Sequence, residues 1–247
     1  MHKSLAENGP SEAVLPWLTA KDDAQSTLNA LIAAYRRDRP AGTILKLEGD
    51  DTASVLMVLS GWLLASKSLN DGQRQIIDII LPGGILEPAS ANPGLSALEV
   101  ETLTDVSLAA IPRARWRDAC TDYREIEELN HRVQGAAMAR RAERMMRLGK
   151  APAESVIAFA LCELCLRSTV HGLVEGVTFH IPMTQQLLGD FCGLSAVHIC
   201  RTLRRLERNE VLSVTNHMNI VIHDMEAMAD IAEIDIDALR EEIILVG

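Results

Sequence analysis

The apolar and polar positions of this chain fall into two alternating textures. Residues 22–35 place Leu28, Leu31 and Ile32 on one face at helical spacing, with Asp22 or Asp23 available as a cap. Residues 42–111 are instead short apolar runs: Ile44–Leu47, Val55–Leu59, Trp62–Ala65, Ile76–Leu81, Leu98–Leu103 and Val106–Ile111. Turn residues separate them, at Gly49-Asp50-Asp51, Gly61, Asn70-Asp71-Gly72, Pro82-Gly83-Gly84 and Asn92-Pro93-Gly94. Asn-Asp-Gly supplies the positive φ that tight hairpin turns require, and many short strands at this spacing predict a β-roll or β-sandwich. The strand punctuation stops near residue 119. Residues 125–146 contain no proline and one glycine, and Ile126, Leu129, Val133, Ala136 and Ala137 form a helical stripe. That stripe drifts on through Ala139, Ala142, Met145 and Met146. A long amphipathic helix between two domains predicts a dimer seam; packing against its own domain is the alternative.

Beyond it, Ala151-Pro152-Ala153 opens a helix that runs to about Arg167, and Gly172 and Gly176 mark a turn. A strand at Val177–Ile181, helices at Thr184–Cys192 and Ala196–Asn209, and a hairpin of Leu212–Val214 with Ile220–Ile222 follow, the hairpin closed by Asn216-His217-Met218-Asn219. The expected class is α+β. Its parts are an N-terminal arm and helix (1–40), with Met1–Ala13 loose, and a β-roll (41–118). A dimerisation helix (119–150), a winged helix-turn-helix (151–224) and an acidic helical tail (225–247) complete the chain.

The pair of helices carries the clearest chemistry. Residues 185–204 read QQLLGDFCGLSAVHICRTLR. Leu188, Ile199 and Leu203 can meet between the helices, Gly189 is small at their crossing, and Gly193 suits a left-handed turn. Thr184 and Ser195 can cap the two helices. Ile199, Leu203 and Leu206 face inward, which leaves Val197, His198, Arg201, Arg204, Arg205 and Arg208 outside. Arginine suits both phosphate oxygens and the O6/N7 edge of guanine. The expected DNA-contacting set is Thr184, Gln185, Ser195, Ala196, Val197, His198, Arg201, Arg204 and Arg205. Within it Val197 offers only an apolar contact to a thymine methyl, and Thr184, Ser195 and His198 go mainly to phosphate. A solvated basic face is the bland alternative; turn glycine, capping serine, arginine stripe and wing together favour DNA.

Composition narrows the picture. The chain is 48% hydrophobic with 3% aromatic residues, so its core is aliphatic. A net charge of −10 excludes DNA binding by global positive charge and leaves the local patch to do it. Five cysteines (Cys120, Cys162, Cys165, Cys192, Cys200) are an odd set, suited to reduced thiols in a cytoplasm. Residues 1–14 lack the apolar core of a signal peptide. Asp78, Pro82, Gly83 and Gly84 break the most apolar run, so no membrane span is expected.

The chain resembles the CRP/FNR family of bacterial transcription regulators over about Leu28 to Asp224. Thr184, Gly189, Gly193, Ser195 and Arg201 match the family's helix-turn-helix pattern; Gly49, Gly61 and the Pro82-Gly83 turn match its β-roll glycines. The resemblance implies a homodimer on a two-fold operator of double-stranded DNA, each second helix in a major groove, with RNA polymerase as a further partner. Cyclic-AMP-binding members carry a Glu and then an Arg-Ser pair. Here the stretch from Gly84 through Glu87 to Ser96-Ala97 lacks the arginine, and no basic residue stands between Arg74 and Arg113. A buried phosphate without a cation is costly, so cyclic AMP is disfavoured. Iron–sulfur members use N-terminal cysteines and haem members a β-roll histidine. This chain has no cysteine before Cys120 and no histidine between His2 and His131, so both are disfavoured and no cofactor is expected. Ile85, Leu86, Leu95 and Leu98 are the candidate lining for an undefined effector. At the start of the second helix Ala196 and Val197 replace the family's polar readers, so the family's base preference does not carry over beyond Arg201.

Cys162 and Cys165 form a C-x-x-C inside an apolar helical run, with only His171 nearby as a further ligand, which favours core packing over zinc or redox chemistry. Met145 and Met146 likewise read as packing. Cys200, beside Arg201, is either an oxidation-sensitive thiol at the DNA surface or a small inward-facing residue; Cys192 is the second candidate thiol. No nucleophile elbow, zinc-protease motif or phosphate loop is present, so an enzyme is not expected. The expected function is sequence-specific DNA-binding regulation of transcription. The alternative is an effector-sensing scaffold with a vestigial DNA module, which would have no reason to keep the arginine stripe.

Overall fold

The computed structural model describes residues 22–88, 94–170, 172–175, 178–215 and 218–244. The loose arm, the Asn92-Pro93 turn, His171, Gly176 and the hairpin tip at 216–217 lie outside them. Helix α1 (Asp22–Tyr35) leads directly into strand β1 (Arg36–Arg39). β2 (Ile44–Lys46), β3 (Ser54–Ser60), β4 (Leu63–Ser68), β5 (Arg74–Ile80), β6 (Ile85–Leu86), β7 (Glu99–Thr102) and β8 (Val106–Pro112) follow. They form two facing sheets, β1-β8-β3-β6 and β2-β7-β4-β5. Asn70-Asp71-Gly72 closes the β4–β5 hairpin as its sequence predicts, with Gly72 at φ 84°.

Strand alternation sorts the apolar side chains into three layers. Leu56, Val58, Leu63, Ala65, Ile80, Val100, Val106 and Leu108 fill the space between the sheets. Val55, Met57, Ala109 and Ile111 face the other way, against Leu28 of α1 and Trp116, Ile126, Leu129 and Val133 of the helices that follow the roll. Trp62, Leu64, Ile76 and Ile79, on the outside of the second sheet, pack into the C-terminal half of the chain. The candidate effector lining is therefore dispersed. Ile85 belongs to the second layer, Leu86 and Leu98 to the first, and Leu95 is 38% exposed.

Several boundaries differ from those read in the sequence. β1, whose four charged residues are exposed, pairs with β8 from Arg36↔Ala109 to Arg39↔Val106, so residues 22–39 are part of the roll. Helix α2 (Arg113–Asp122) straddles the expected end of the roll and stops at extended Tyr123, and α3 (Arg124–Lys150) begins there. The stripe assigned to a dimer seam is buried inside the protomer: Ile126, Leu129 and Val133 pack on the roll, and Ala136 and Ala137 are also covered. Gly135, Met138, Ala142, Met145 and Gly149 are the exposed line, spaced 3-4-3-4 along the opposite face.

Helix α4 (Ala153–Val170) is buried along most of its length, Cys162 and Cys165 included. Burial, followed by the neighbouring Cys165, pushes the Cys162 thiol up to about 12, as expected of core cysteines. The expected tail is no tail. α7 (Met225–Ala232) packs on α4 and α8 (Ile236–Ile243) on α3, burying Met228, Ala232, Leu239 and Ile243 in the same core as α4.

One cluster of charge joins the halves. Asp78 of β5, Arg140 and Arg144 of α3, and Glu163 and Arg167 of α4 meet in the interior. Arg144 donates to Asp78 at 3.0 Å and to Glu163 at 3.3 Å; Arg167 donates to Glu163 at 2.9 Å and to the Ile79 carbonyl at 2.6 Å. Burial would raise the Asp78 carboxyl, but the guanidiniums of Arg144, Arg140 and Arg167 outweigh it and hold the group well below its ordinary value near 3.8. A carboxyl depressed on folding stabilises the native state above its unfolded pKa and loses that contribution as pH falls below it. Asp78→Asn is expected to cost about 3–5 kcal/mol at neutral pH, because it strands buried arginines. It should also flatten the loss of stability below about pH 4. Melting curves by circular dichroism between about pH 7 and pH 2 read both; parallel pH profiles for variant and wild type would contradict the assignment.

Candidate nucleic-acid interface

Helices α5 (Gln185–Cys192) and α6 (Ala196–Arg208) are built by the local rules their sequence announces. Thr184 Oγ1 accepts from the Leu187 amide at 3.1 Å and Ser195 Oγ from the His198 amide at 3.3 Å, capping both helices. Gly193 ends α5 at φ 64°, the left-handed conformation. A Cβ on Gly189 would stand 2.4 Å from the Leu194 carbonyl oxygen, so only glycine lets the turn close over α5. Leu188, Ile199, Leu203 and Leu206 are buried between the helices and the core. A small sheet in the order β11-β12-β10-β9 flanks them, from β9 (Val174–Glu175), β10 (Thr178–His180), β11 (Leu212–Thr215) and β12 (Asn219–Ile222). Glu207 Oε1 accepts from the Val214 amide at 2.9 Å and ties α6 to this wing.

The outer face of α6 sorts the expected residues. Gln185, Ala196, Val197, Cys200, Arg201, Arg204, Glu207 and Arg208 line one shallow concave surface, with Val197 68% exposed at its edge. Among the described residues Arg201, Arg204 and Arg208 have no ion-pair partner. Arg205 does not share their surface. Its Nε donates to Glu154 Oε1 at 3.0 Å and its Nη2 to the other oxygen of the same carboxylate, at the start of α4. His198 is exposed but lies off the concave surface, while Thr184 and Ser195 spend their hydroxyls on capping. Cys200, half-buried, opens onto the surface. Cys192 is sealed in the core, where burial and then Glu163, against a smaller opposing effect of Arg144, push its thiol up to about 12. It is therefore no alternative reactive thiol. The sequence offers no sign of the Arg205–Glu154 pair or of the bond from Val214 to Glu207, because each is a contact outside the helical pattern.

The reader is held against the β-roll. Arg74 of β5 bridges Glu101 at 3.3 Å and Asp190 of α5 at 3.4 Å, and Gln75 Nε2 donates to the Phe191 carbonyl at 3.1 Å. From α3, Arg144 lies over the Phe191 ring at 4.7 Å and Arg147 over the Phe159 ring at 4.0 Å. No described helix is long and apolar enough to cross a membrane.

Comparison with known proteins bears on this architecture directly. Residues 36–123 match the model of the cyclic nucleotide-binding domain and residues 157–231 that of the Crp-like helix-turn-helix domain. The nitrogen fixation regulation protein FixK of Bradyrhizobium diazoefficiens is 31% identical over 195 residues, 76% of this chain and 79% of that protein. The transcriptional activator protein FnrL of Cereibacter sphaeroides is 22% identical over 223 residues, 88% of each chain. Among solved structures, FixK2 from Bradyrhizobium japonicum superposes with a TM-score of 0.71 at 21% identity, covering 79% of this chain and 96% of that one. A CooA mutant from Carboxydothermus hydrogenoformans does so with 0.68 at 11% identity, covering 82% and 90%. With both domains matched in order and a relative of this identity across three quarters of its length, the chain belongs to the CRP/FNR family of DNA-binding transcription regulators.

Proposed function

We propose that the chain acts as a homodimer on a two-fold operator, with α6 of each subunit in a major groove, and that it acts on transcription through RNA polymerase rather than as an enzyme or a scaffold. The observation that carries this reading is the convergence of Arg201, Arg204 and Arg208, unpaired, on one concave face of an otherwise acidic protein. Arg201, mid-helix, takes a guanine, Val197 a thymine methyl, and Arg204 and Arg208 take phosphates. Arg201→Ala is expected to cost about 1–3 kcal/mol per half-site and to relax the preference at one base pair in random-site selection. Arg205→Ala should weaken binding much less than Arg204→Ala, because Glu154 already holds the Arg205 guanidinium. Equal losses in a salt-titrated gel shift would reject this division of roles.

The exposed line Gly135, Met138, Ala142, Met145 and Gly149 is the seam we assign to the dimer, with small residues at one heptad position and methionine at the other. Met145→Glu is expected to give a folded monomer by light scattering and thermal melting. Val133→Asp instead damages the protomer's own core. A dimeric Met145→Glu protein would place the seam elsewhere.

Cyclic AMP does not fit this reading. The space between the sheets is filled by aliphatic side chains. Glu87 is turned to Arg113 at 3.6 Å, a pair at the surface of the roll. Calorimetry is expected to show no binding of cyclic AMP; tight binding would overturn the argument from charge and packing.

A further inference from the structure

The buried charge cluster contains more cations than anions. Asp78 and Glu163 face the guanidiniums of Arg140, Arg144 and Arg167, and Arg141 reaches Asp78 from the solvent side at 3.9 Å. Arg144 and Arg167 are well bonded. Arg140 is not: its carboxylate neighbours stand at 3.6 and 3.7 Å, and its Nη1 makes one long bond of 3.5 Å to the Ile243 carbonyl. Its Nε is buried with no hydrogen-bond partner. The surplus is felt next door, where burial and then the charge of Arg140 pull Arg167 down to about 10.

Arg140 and Arg167 form one wall of a cleft bounded by the Pro82-Gly83-Gly84 turn, α3, the end of α4 and the end of α8. The remaining walls are apolar, from Val133, Ala136, Val170, Ile243 and Ile244. The space open to the centres of water-sized atoms is about 60 Å³, which suits a ligand of a few heavy atoms. We propose that this cleft binds a short-chain aliphatic monocarboxylate. A planar carboxylate matches guanidinium edges, and a single negative charge balances the single surplus cation of the buried cluster. A short alkyl chain covers the apolar wall, which a phosphate or chloride ion cannot do. The bound molecule would touch the roll, the long helix and the first helix of the DNA-binding half at once.

Thermal melting and calorimetry of the full-length protein with sodium butyrate test this, with butyramide as the neutral isostere and sodium phosphate and chloride as anion controls. Butyrate is expected to raise Tm by about 3–6 °C when tenfold above its Kd, and the three controls at equal concentration are not. Arg140→Gln should abolish the shift. Val170→Trp, at the partly exposed mouth, should abolish it by filling the cleft without touching the charges, and it keeps the test decisive if Arg140→Gln fails to fold. The proposal is overturned by absence of a butyrate shift or by an equal shift from butyramide. An equal shift from phosphate or chloride, or a butyrate shift that persists in Val170→Trp, overturns it as well.

Discussion

The arrangement of this protein depends on a charge cluster that no single element could hold alone. Asp78 comes from the roll, Arg140 and Arg144 from the long helix, Glu163 and Arg167 from the first helix of the DNA-binding half. Each group buried singly would be prohibitively desolvated; together they exchange water for charge-assisted hydrogen bonds. The cluster therefore discriminates between arrangements. Any rotation of α4 against the roll separates Arg167 from the Ile79 carbonyl and Arg144 from one of its two carboxylates. Apolar layers supply cohesion on both sides, but apolar surfaces tolerate sliding, whereas forked guanidinium bonds do not.

That constraint reaches the DNA-reading surface in two steps. Arg144 also lies over Phe191, and Phe191 and Asp190 of α5 are bound to Gln75 and Arg74 of the strand that carries Asp78. α5 thus inherits its position from β5, and α6 inherits its own from α5 through the Gly189 crossing and the left-handed turn at Gly193. Arg205 fixes α6 from the other flank through Glu154. An arginine that looks in sequence like one more phosphate ligand is instead part of the mount.

Legibility followed the range of the interaction. Hairpin turns, caps, the buried face of α6 and most strands depend on neighbours in sequence, and Asn70-Asp71-Gly72, Ser195 and Gly193 announce them. β1, an exposed edge strand of Arg-Arg-Asp-Arg, has no apolar alternation to mark it in the sequence. The stripe on α3 was plain, but periodicity says only that a face is covered and not by what; its apolar side met the roll, and the sparser line of glycine, alanine and methionine stayed outside. The C-terminal helices read as a tail because acidic residues interrupt them at intervals, while the side chains that pack them, Met228, Ala232, Leu239 and Ile243, meet partners on α4 and α3 that lie far away in sequence. The Arg205–Glu154 pair and the convergence of Asp78 with α3 and α4 leave no local mark, because their partners lie tens of residues apart; only Glu163–Arg167 is one helical turn in span.

The contrast between an acidic chain and the arginines of α6 has a consequence for how the protein meets DNA. With a net charge of −10 and Arg201, Arg204 and Arg208 gathered on one concave face of α6, the molecule sets a local positive patch within an acidic whole. In the field of a duplex, such a body experiences a torque before contact is made. Encounters through acidic surface are disfavoured, and those through α6 are drawn in already aligned. The same asymmetry weakens lingering attachment to arbitrary DNA, because few phosphates are neutralised and the rest of the surface resists approach. Selectivity for the operator thus begins with orientation, ahead of any base being read.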